Sequence, residues 1–253
     1  MCTTCGCSDD TGVRVTDPGA PTHQPHTHDH DHDHGRTVLL EQKVLARNDD
    51  LAGRNRAWLA ERAVVAVNLM SSPGSGKTTL LERTIRELGS DVPLSVIEGD
   101  QETLFDAERI RATGCRVVQV NTGAGCHLDA QMLSSALRTL EPPQRSVMFI
   151  ENVGNLVCPA LFDLGEDGRV VVMSVTEGAD KPLKYPHMFR TADVVLLNKV
   201  DLLPYVDFDE QRFEGSVRRV NPAARVLRIS ATRGDGMSGW YDWLRERATD
   251  RPR

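Results

Sequence analysis

Residues 71–78 have the sequence of a phosphate-binding loop. They read Ser71-Ser-Pro-Gly-Ser-Gly-Lys-Thr78 and stand between an apolar run and a helical pattern. This is the strand–loop–helix arrangement of the GxxxxGKT/S loop, with Ser71 where the first glycine usually stands. The glycines let backbone N–H groups point at phosphate oxygens, and the helix N-terminus adds a favourable dipole. A Ser/Gly turn before an ordinary helix is the alternative, which the Lys-Thr pair disfavours.

Each residue of this loop has an expected role. Lys77 should reach the β- and γ-phosphates, and the Thr78 hydroxyl should bind Mg²⁺. We also expect Lys77 to be required for hydrolysis. The residues predicted to contact the nucleotide here are Gly74, Ser75, Gly76, Lys77, Thr78 and Thr79.

Two carboxylates follow predicted strands and are candidates for the metal and the attacking water. Asp100 ends the run Ile97-Glu-Gly-Asp100, and Glu151 opens Glu151-Asn-Val-Gly154, which resembles a DxxG switch with Glu replacing Asp. The carboxyl ends of strands form the ligand side of such a sheet. Either carboxylate could hold Mg²⁺ through water or orient the attacking water. We predict both as catalytic residues and Asp100, with Thr78, as a magnesium ligand; a helix cap or a loop salt bridge is the alternative.

The segment Asn198-Lys199-Val-Asp201 follows an apolar run and has the NKxD pattern that selects guanine. The Asp201 carboxylate can accept hydrogen bonds from guanine N1 and N2, which adenine cannot supply. Asn198 would support the base edge, and the stem of Lys199 would cover one ring face. The pattern is short, but its place after a phosphate loop makes it specific for GTP rather than ATP.

A second guanine segment is predicted at Ser230-Ala231-Thr232, after the next helix and strand. It resembles the SAK loop, in which the Ala N–H meets guanine O6. Thr232 departs from the usual Lys, so only Ser230 and Ala231 are predicted to contact the base.

The first seven residues, Met1-Cys2-Thr-Thr-Cys5-Gly-Cys7, contain three cysteines. If Met1 is removed, the Cys2 amine becomes a fourth donor beside three thiolates. A short segment with a glycine can wrap a plane, and square-planar geometry is typical of Ni²⁺, whereas Zn²⁺ prefers a tetrahedron. We therefore predict a tight nickel site here; incidental cysteines in a disordered tail are the alternative.

A histidine-rich stretch follows, with aspartates between its last four histidines. Six imidazoles on a flexible chain suit Ni²⁺, Cu²⁺ or Zn²⁺, weakly and several at once. The aspartates and the lack of a continuous run argue against an affinity tag. The predicted ligands are His23, His26, His28, His30, His32 and His34.

A third candidate metal site lies within the nucleotide-binding region. Cys126 and His127 follow the predicted strand 117–120, and Cys158 lies four residues beyond Gly154. All three should emerge near the ligand edge of the sheet, where two thiols and an imidazole can hold a metal ion. Three ligands leave a position open for water or a second protomer. A lone cysteine is more often a small buried apolar residue.

The remaining candidates have weaker assignments. Cys115 follows a helical pattern and is predicted to be structural. Lys181, Lys184 and His187 stand in a motif-like segment to which we assign no role.

These segments are spaced by alternating apolar runs and helical patterns. Such alternation predicts an α/β fold with a mostly parallel, roughly seven-stranded sheet covered by helices on both faces. The predicted strands are 64–70, 94–97, 117–120, 147–150, 170–175, 194–197 and 225–229. The predicted helices are 78–88, 102–112, 128–140, 208–220 and 238–248.

The chain divides into two regions. Residues 1–36 hold only Val13 and Val15 as large aliphatic residues, so no core offsets the chain entropy and we predict a disordered metal-binding tail. Residues 37–253 form the predicted P-loop GTPase domain. Its first part, 37–62, has apolar residues at roughly helical spacing and is expected to form one or two helices that pack on the domain.

The charge and the apolar content of the chain argue against several classes of protein. The net charge of −6 does not suggest a nucleic-acid binder. No apolar stretch is long enough for a membrane span, and the N-terminus lacks the apolar region of a secretory signal. We expect a cytoplasmic protein, in which reduced cysteines bind metal rather than form disulfides.

Together the segments resemble the HypB family, the nickel-insertion GTPases of nickel–iron hydrogenase maturation. The resemblance extends over residues 1–201 and rests on MCTTCGC, the His-rich tail, SSPGSGKTTL, EGDQ, TGAGCHLDA, ENVGNLVCPA, TEGADKPLKYP and NKVD. It implies a seven-stranded domain that forms a homodimer when GTP binds. It also implies a nickel site at the N-terminal CxxCGC, a second nickel or zinc site, and handover with a HypA-type partner to the hydrogenase large subunit.

Two other functions stay open at this point. Urease-maturation GTPases of the UreG type share the phosphate loop and often a His tail, but are not expected to carry CxxCGC or NLVCP after the switch. The second open function is that of a nickel storage protein with a vestigial nucleotide site. Such a protein should hydrolyse no GTP.

Overall fold

A computed structural model describes residues 34–100, 105–123 and 125–249 of the chain. The predicted ligands Cys2, Cys5, Cys7, His23, His26, His28, His30 and His32 lie outside these residues. His34 opens the first described helix.

The predicted seven-stranded parallel sheet is confirmed. Its order is β3-β2-β4-β1-β5-β6-β7, and every neighbouring pair is parallel. The strands are β1 Val65–Ser71, β2 Leu94–Asp100, β3 Arg116–Asn121, β4 Val147–Glu151, β5 Gly168–Ser174, β6 Val194–Asn198 and β7 Arg225–Arg228. Because β1, β4 and β6 are buried along their whole length, their sequences are nearly continuous apolar runs.

Helices cover both faces of this sheet. They are α1 His34–Glu61, α2 Lys77–Leu88, α3 Phe105–Ala112, α4 Ala130–Leu140, α5 Lys181–Lys184, α6 Pro186–Arg190, α7 Glu210–Val220 and α8 Met237–Thr249. One core holds apolar residues of α2, α3 and α8 against the sheet. On the other face, α1 and α4 form a second core, and α6 and α7 a third.

Two helices begin later than the periodicity of apolar residues predicts, because a capping residue sets each start. The helix predicted over 128–140 begins at Ala130, because Asp129 caps it and accepts a 2.7 Å hydrogen bond from the Met132 N–H. The helix predicted over 208–220 begins at Glu210, because Asp209 caps it in the same way. The short helices α5 and α6 were not predicted.

The predicted segment 37–62 forms part of one continuous helix, α1. Two buried asparagines of α1 fix it to the domain. The Asn48 side chain donates to the Asp163 carbonyl at 2.7 Å and accepts from the Ala130 N–H at 2.9 Å. Asn55 donates to the carbonyls of Ala130, at 2.8 Å, and Leu164, at 3.1 Å. The helix therefore holds both the start of α4 and the loop before β5.

Within the described part of the chain, no helix combines the length and apolarity that a bilayer span needs.

Candidate functional site

The predicted phosphate loop spans the turn from β1 to α2. Gly74 and Gly76 have φ angles of 73° and 101°, in the left-handed region that favours glycine. A Cβ at position 76 would lie only 2.6 Å from Nδ2 of Asn198. Gly76 is therefore needed for the backbone turn and for the close approach of β6.

Lys77 lies at the start of α2 and is buried. Burial lowers the pKa of its ammonium group, and the charge of Glu151 opposes that shift. The Lys77 Nζ donates a 2.7 Å hydrogen bond to the Ser71 hydroxyl. Ser71, which replaces the usual glycine, thus gives the buried lysine an acceptor that glycine would not supply.

The Glu151 carboxylate meets the next residue of α2. Thr78 Oγ1 donates a 2.8 Å hydrogen bond to Glu151 Oε1. Burial raises the pKa of Glu151 to about 7, although Lys77 and the Thr78 hydrogen bond lower it. Its other oxygen, Oε2, is buried and accepts no hydrogen bond from the described residues. This oxygen is therefore available to a ligand of the loop.

A second buried carboxylate, Glu98, is the register partner of Glu151 on the adjacent strand β2. Burial and the charge of Glu151 raise its pKa to about 8. Its Oε2 likewise has no hydrogen-bond partner among the described residues. Sequence analysis missed Glu98, although it shares a strand face with the predicted Asp100.

A cavity of about 520 Å³ lies over the loop. It is lined by the loop glycines, Lys77, Thr78 and Thr79, by the strand-end carboxylates Asp100 and Glu151, and by Lys199. A basic loop facing carboxylates can take a phosphate chain together with a cation, because Mg²⁺ prefers oxygen ligands. The predicted phosphate and magnesium residues are thus brought together.

Two residues of α3 also line this cavity and were not predicted: Asp106 and Arg109. Arg109 donates to the Glu82 carboxylate at 2.8 Å and to the Thr79 hydroxyl at 3.2 Å. Asp106 and Arg109 belong to no sequence motif, so only the packing of α3 against α2 shows that they line the cavity.

At the other end of the loop, Asn198 connects two predicted nucleotide segments. Its Nδ2 donates to the Ser75 carbonyl at 2.9 Å, and its Oδ1 accepts from the Ala231 N–H at 3.0 Å. The Ala231 N–H was predicted to meet guanine O6, and it is directed here to Asn198. Asn198 therefore sets the distance between the phosphate loop and the predicted guanine segment Ser230-Ala231-Thr232, which is called the base loop below.

The two other residues of the NKxD segment are also held. Ser230 Oγ donates to Asp201 Oδ1 at 2.6 Å, which orients the carboxylate. Lys199 has a left-handed φ of 63°, and its Nζ donates to the Gly74 carbonyl at 2.7 Å. The lysine stem thus bridges from β6 to the phosphate loop.

The base loop has an additional anchor on α2. Arg83 Nε donates to the Ala231 carbonyl at 2.5 Å, and Nη2 donates to the Thr232 carbonyl at 2.7 Å. Glu87, one turn further on, forms an ion pair with the same guanidinium. Arg83 carries no motif, so sequence analysis did not find it.

The candidate metal residues Cys126, His127 and Cys158 converge. Their ligand atoms lie within 4.8 Å of one another. The two Sγ atoms are 2.9 Å apart, and Cys126 Sγ is 3.7 Å from His127 Nδ1. Cys158 is buried and opens a 3₁₀ turn, while the other two are half-buried. Two sulfurs and a nitrogen are donors that suit nickel or zinc.

Neighbouring residues hold this cluster in place. The His127 ring stacks on Phe162, with centroids 4.0 Å apart, and burial lowers the pKa of His127. The Asn152 side chain, directly after Glu151, accepts from the Leu128 N–H at 3.2 Å. The end of β4 is thereby connected to the loop that carries Cys126 and His127.

The remaining candidates lie apart from the cluster. Cys115 Sγ donates to the Leu94 carbonyl at 3.4 Å, and burial raises its pKa to about 11, as expected for a structural thiol. Lys181 forms an ion pair of 2.5 Å with Glu177 and donates to the Ser72 hydroxyl at 3.0 Å.

Lys184 pairs with Asp180 at 2.9 Å, and His187 lies on α6.

Comparison with known proteins identifies the family. The CobW/HypB/UreG nucleotide-binding domain family matches residues 65–228. Hydrogenase maturation factor HypB from Escherichia coli is 58% identical over 209 residues, which cover 83% of this chain and 72% of that protein. The chain belongs to the HypB family of hydrogenase maturation factors.

Other HypB proteins agree in sequence and structure. A probable HypB from Methanocaldococcus jannaschii is 43% identical over 81% of this chain and 93% of its own length. The crystal structure of HypB from Archaeoglobus fulgidus has a TM-score of 0.76 at 42% identity, covering 81% of this chain and all of that one. HypB from Helicobacter pylori, solved in complex with nickel, has a TM-score of 0.75 at 36% identity, covering 80% of this chain and 95% of that one.

As a HypB protein, the chain is a hydrogenase maturation factor with a GTP-binding domain of the P-loop GTPase class.

Proposed function

We propose that this protein is a GTP-hydrolysing nickel metallochaperone that delivers nickel to the hydrogenase large subunit during maturation. One observation carries the proposal. The segment that leaves β4 begins with Glu151, which accepts from Thr78 in the phosphate site, and seven residues later reaches Cys158, which contacts Cys126. A change at the phosphates can therefore reach the thiols along seven residues of chain.

In the proposed hydrolysis, Lys77 stabilises charge on the transferred phosphate. The Thr78 hydroxyl and Asp100 are the residues that would hold Mg²⁺, which neutralises phosphate charge when bound. Glu151 orients the attacking water through Oε2, the oxygen that Thr78 leaves unoccupied. Asp201 selects guanine, so GTP is the substrate.

Nickel is the proposed cargo of the cluster Cys126, His127 and Cys158, and zinc can occupy the same donors. Support comes from the relative from Helicobacter pylori, which was solved in complex with nickel. Three ligands leave a coordination position for the group that receives the metal. We propose that Cys2, Cys5 and Cys7 form a tighter nickel site, and that the histidines between 23 and 34 bind further nickel weakly.

We place this activity in the cytoplasm, with a HypA-type nickel chaperone and the hydrogenase large subunit as partners. The GTP-bound protein is proposed to act as a homodimer. The family identity supports the hydrogenase client over urease.

The test is hydrogenase activity in a strain that lacks this protein. The wild-type gene should restore activity, whereas Lys77→Ala and a Cys126→Ala, Cys158→Ala double variant should not. Excess nickel in the medium should restore activity without the gene. Full restoration by Lys77→Ala would instead support a storage protein with a vestigial nucleotide site, and a defect confined to urease would support the urease function.

A further inference from the structure

The Sγ atoms of Cys126 and Cys158 are closer than metal coordination alone requires. Their separation is 2.9 Å. Two thiolates on a tetrahedral zinc, with Zn–S bonds of about 2.3 Å, would lie roughly 3.8 Å apart, and the sulfurs of a disulfide lie about 2.0 Å apart. The observed distance between the two sulfur atoms therefore lies about midway between the distance on a shared metal ion and the distance in a disulfide.

Contacts of the loop that carries Cys126 and of the turn that carries Cys158 hold the two sulfur atoms close together. Cys126 belongs to the loop after β3, which is held by the stack of His127 on Phe162 and by the hydrogen bond from the Leu128 N–H to Asn152. Cys158 opens a 3₁₀ turn in which the Leu161 N–H donates to its carbonyl at 3.0 Å. Two loops from different strands thus present their thiols to each other.

We propose that Cys126 and Cys158 form a reversible intramolecular disulfide, which makes the cluster a redox-controlled metal site. The existence of the disulfide is independent of the proposed nickel function, whereas its effect on cargo rests on that function. In an otherwise reducing cytoplasm, such a bond would be transient and regulatory.

The oxidant is a low-molecular-weight disulfide, such as oxidised glutathione. The Cys126 thiolate attacks one sulfur of the oxidant, forms a mixed disulfide and releases one thiolate. The Cys158 thiolate then attacks Cys126 Sγ and releases the second thiolate. The two protein thiols lose two electrons and two protons, and the oxidant is reduced to two thiols.

The order of the two attacks follows from exposure. Cys126 is half-buried and reachable from solvent, whereas Cys158 is buried, with 2% of the residue exposed. Cys126 is therefore the thiol that meets the oxidant, and Cys158 is the resolving thiol. Without Cys158, the reaction should stop at the mixed disulfide on Cys126.

The disulfide and the cargo exclude each other. A disulfide removes both sulfur donors and leaves His127 as the sole member of the cluster that can still bind metal. Bound metal in turn holds both thiolates and withdraws them from the oxidant. Oxidation would therefore release cargo, and cargo would protect the pair.

The experiment uses the full chain with Cys2→Ser, Cys5→Ser and Cys7→Ser, so that only Cys115, Cys126 and Cys158 can react. The metal-free protein is equilibrated with glutathione buffers and mapped by mass spectrometry. The expected result is a cross-linked Cys126–Cys158 peptide and a fall from three reactive thiols to one. The oxidised protein should bind about one equivalent of nickel or zinc less than the reduced protein, because the histidines between 23 and 34 bind metal in both forms. Dithiothreitol should restore the lost equivalent.

Two further variants act as controls. Cys115→Ser should form the same cross-link, because Cys115 lies apart from the cluster and its pKa is raised to about 11 by burial. Cys158→Ser should accumulate glutathione on Cys126. Circular dichroism should show that each protein remains folded.

Glutathione on Cys126 with no internal cross-link while Cys158 is present would overturn the proposal. If the reduced protein binds no more nickel or zinc than the oxidised one although the cross-link forms, the cargo function of the cluster fails, while the cross-link result still decides the redox chemistry.

Discussion

The Thr78 hydroxyl, on the first turn of α2, donates a 2.8 Å hydrogen bond to Glu151 at the end of β4. Glu151→Gln keeps an oxygen that can accept this bond but removes the negative charge that would orient water. We expect kcat for GTP hydrolysis to fall by about 100-fold or more, as for loss of a general base, with GDP affinity nearly unchanged. Steady-state phosphate release and nucleotide titration measure the two quantities.

Glu108→Gln is the matched control for Glu151, because Glu108 is exposed on α3 and does not line the cavity. It should hydrolyse GTP at the wild-type rate. A Glu151→Gln protein with wild-type kcat would remove this residue from the mechanism.

Base selection can be tested at Asp201. Asp201→Asn exchanges the acceptor for guanine N1 and N2 for an amide, while Ser230 can still donate to the amide oxygen. GTP affinity should fall and xanthosine triphosphate affinity should rise, because xanthine presents an acceptor at that edge. Competition with a fluorescent nucleotide measures both, and equal GTP affinity in the variant and the wild type would refute the guanine assignment.

Arg83 should position the base loop without touching the nucleotide. Arg83→Ala removes two hydrogen bonds to the carbonyls of Ala231 and Thr232. We expect GTP affinity to fall by roughly tenfold, equivalent to about 1.4 kcal/mol, and the preference for GTP over ATP to shrink, because adenine lacks the O6 that the Ala231 N–H is predicted to meet.

Arg86→Ala is the matched control, since Arg86 lies on the same helix, is largely exposed and pairs only weakly with Glu82, at 3.8 Å. If Arg86→Ala weakened GTP binding as much as Arg83→Ala, a general effect on α2 would explain both.

Nucleotide and metal binding should be linked through the segment from Glu151 to Cys158. A γ-phosphate that orders this segment changes the position of Cys158 relative to Cys126 and His127. Binding linkage is reciprocal and typically amounts to about 1–3 kcal/mol, or roughly 5–150-fold. We expect metal affinities measured with a non-hydrolysable GTP analogue and with GDP to differ by a factor in this range.

The linkage should survive Cys2→Ser, Cys5→Ser, Cys7→Ser and should vanish in Cys158→Ala. Calorimetric titration of metal in both nucleotide states measures it. Equal affinities in the two states would indicate that GTP acts on partner docking instead.

The stability contributed by the contact between Arg56 on α1 and Asp163 in the loop before β5 should be lost at acid pH. Burial raises the pKa of Asp163, but hydrogen bonds from Arg56, at 2.7 and 2.8 Å, and from the Gly165 N–H outweigh it and hold this pKa below its usual range. A lowered carboxyl pKa contributes stability above the unfolded value of about 3.9, and that stability is lost as pH falls through the folded value. Asp163→Asn should therefore be less stable than the wild type at pH 7, and the difference should shrink as the pH falls below the unfolded value and through the lower folded one. Chemical denaturation at several pH values measures it, and a difference that persists at the lowest pH would contradict the assignment.

The residues predicted for the nucleotide site could be placed side by side from the sequence, because each predicted segment is a short local motif. The phosphate loop, Asp100, Glu151 and the NKxD segment each stand at the end of a strand. Parallel strands bring their carboxyl ends to one edge of the sheet. The seven parallel strands could be predicted for the same reason, since the alternation of apolar runs and helical patterns repeats throughout the domain. Placing Cys126 near Cys158 required only that β3 and β4 end on that edge.

Contacts between distant helices and loops could not be predicted in this way. Arg83 and Arg109 are ordinary helical arginines in the sequence, and only the packing of α2 shows which carbonyls and carboxylates they meet. Phe162 stacks on His127 across a sequence separation that no motif spans. The burial of Glu98 also depends on strand order, which periodicity does not determine.

The order of the strands has a consequence for how this protein can diversify. The residues predicted to contact guanine lie at the ends of β6 and β7, on one side of β1, whereas the thiols lie beyond the ends of β3 and β4 on the other. Substitutions at sites that share no partners usually have additive effects. During evolution, substitutions could therefore change the metal specificity without changing the nucleotide specificity, or change the nucleotide specificity without changing the metal specificity. The segment from Glu151 to Cys158 is the expected exception, because under the proposed linkage a change there should alter nucleotide and metal binding together.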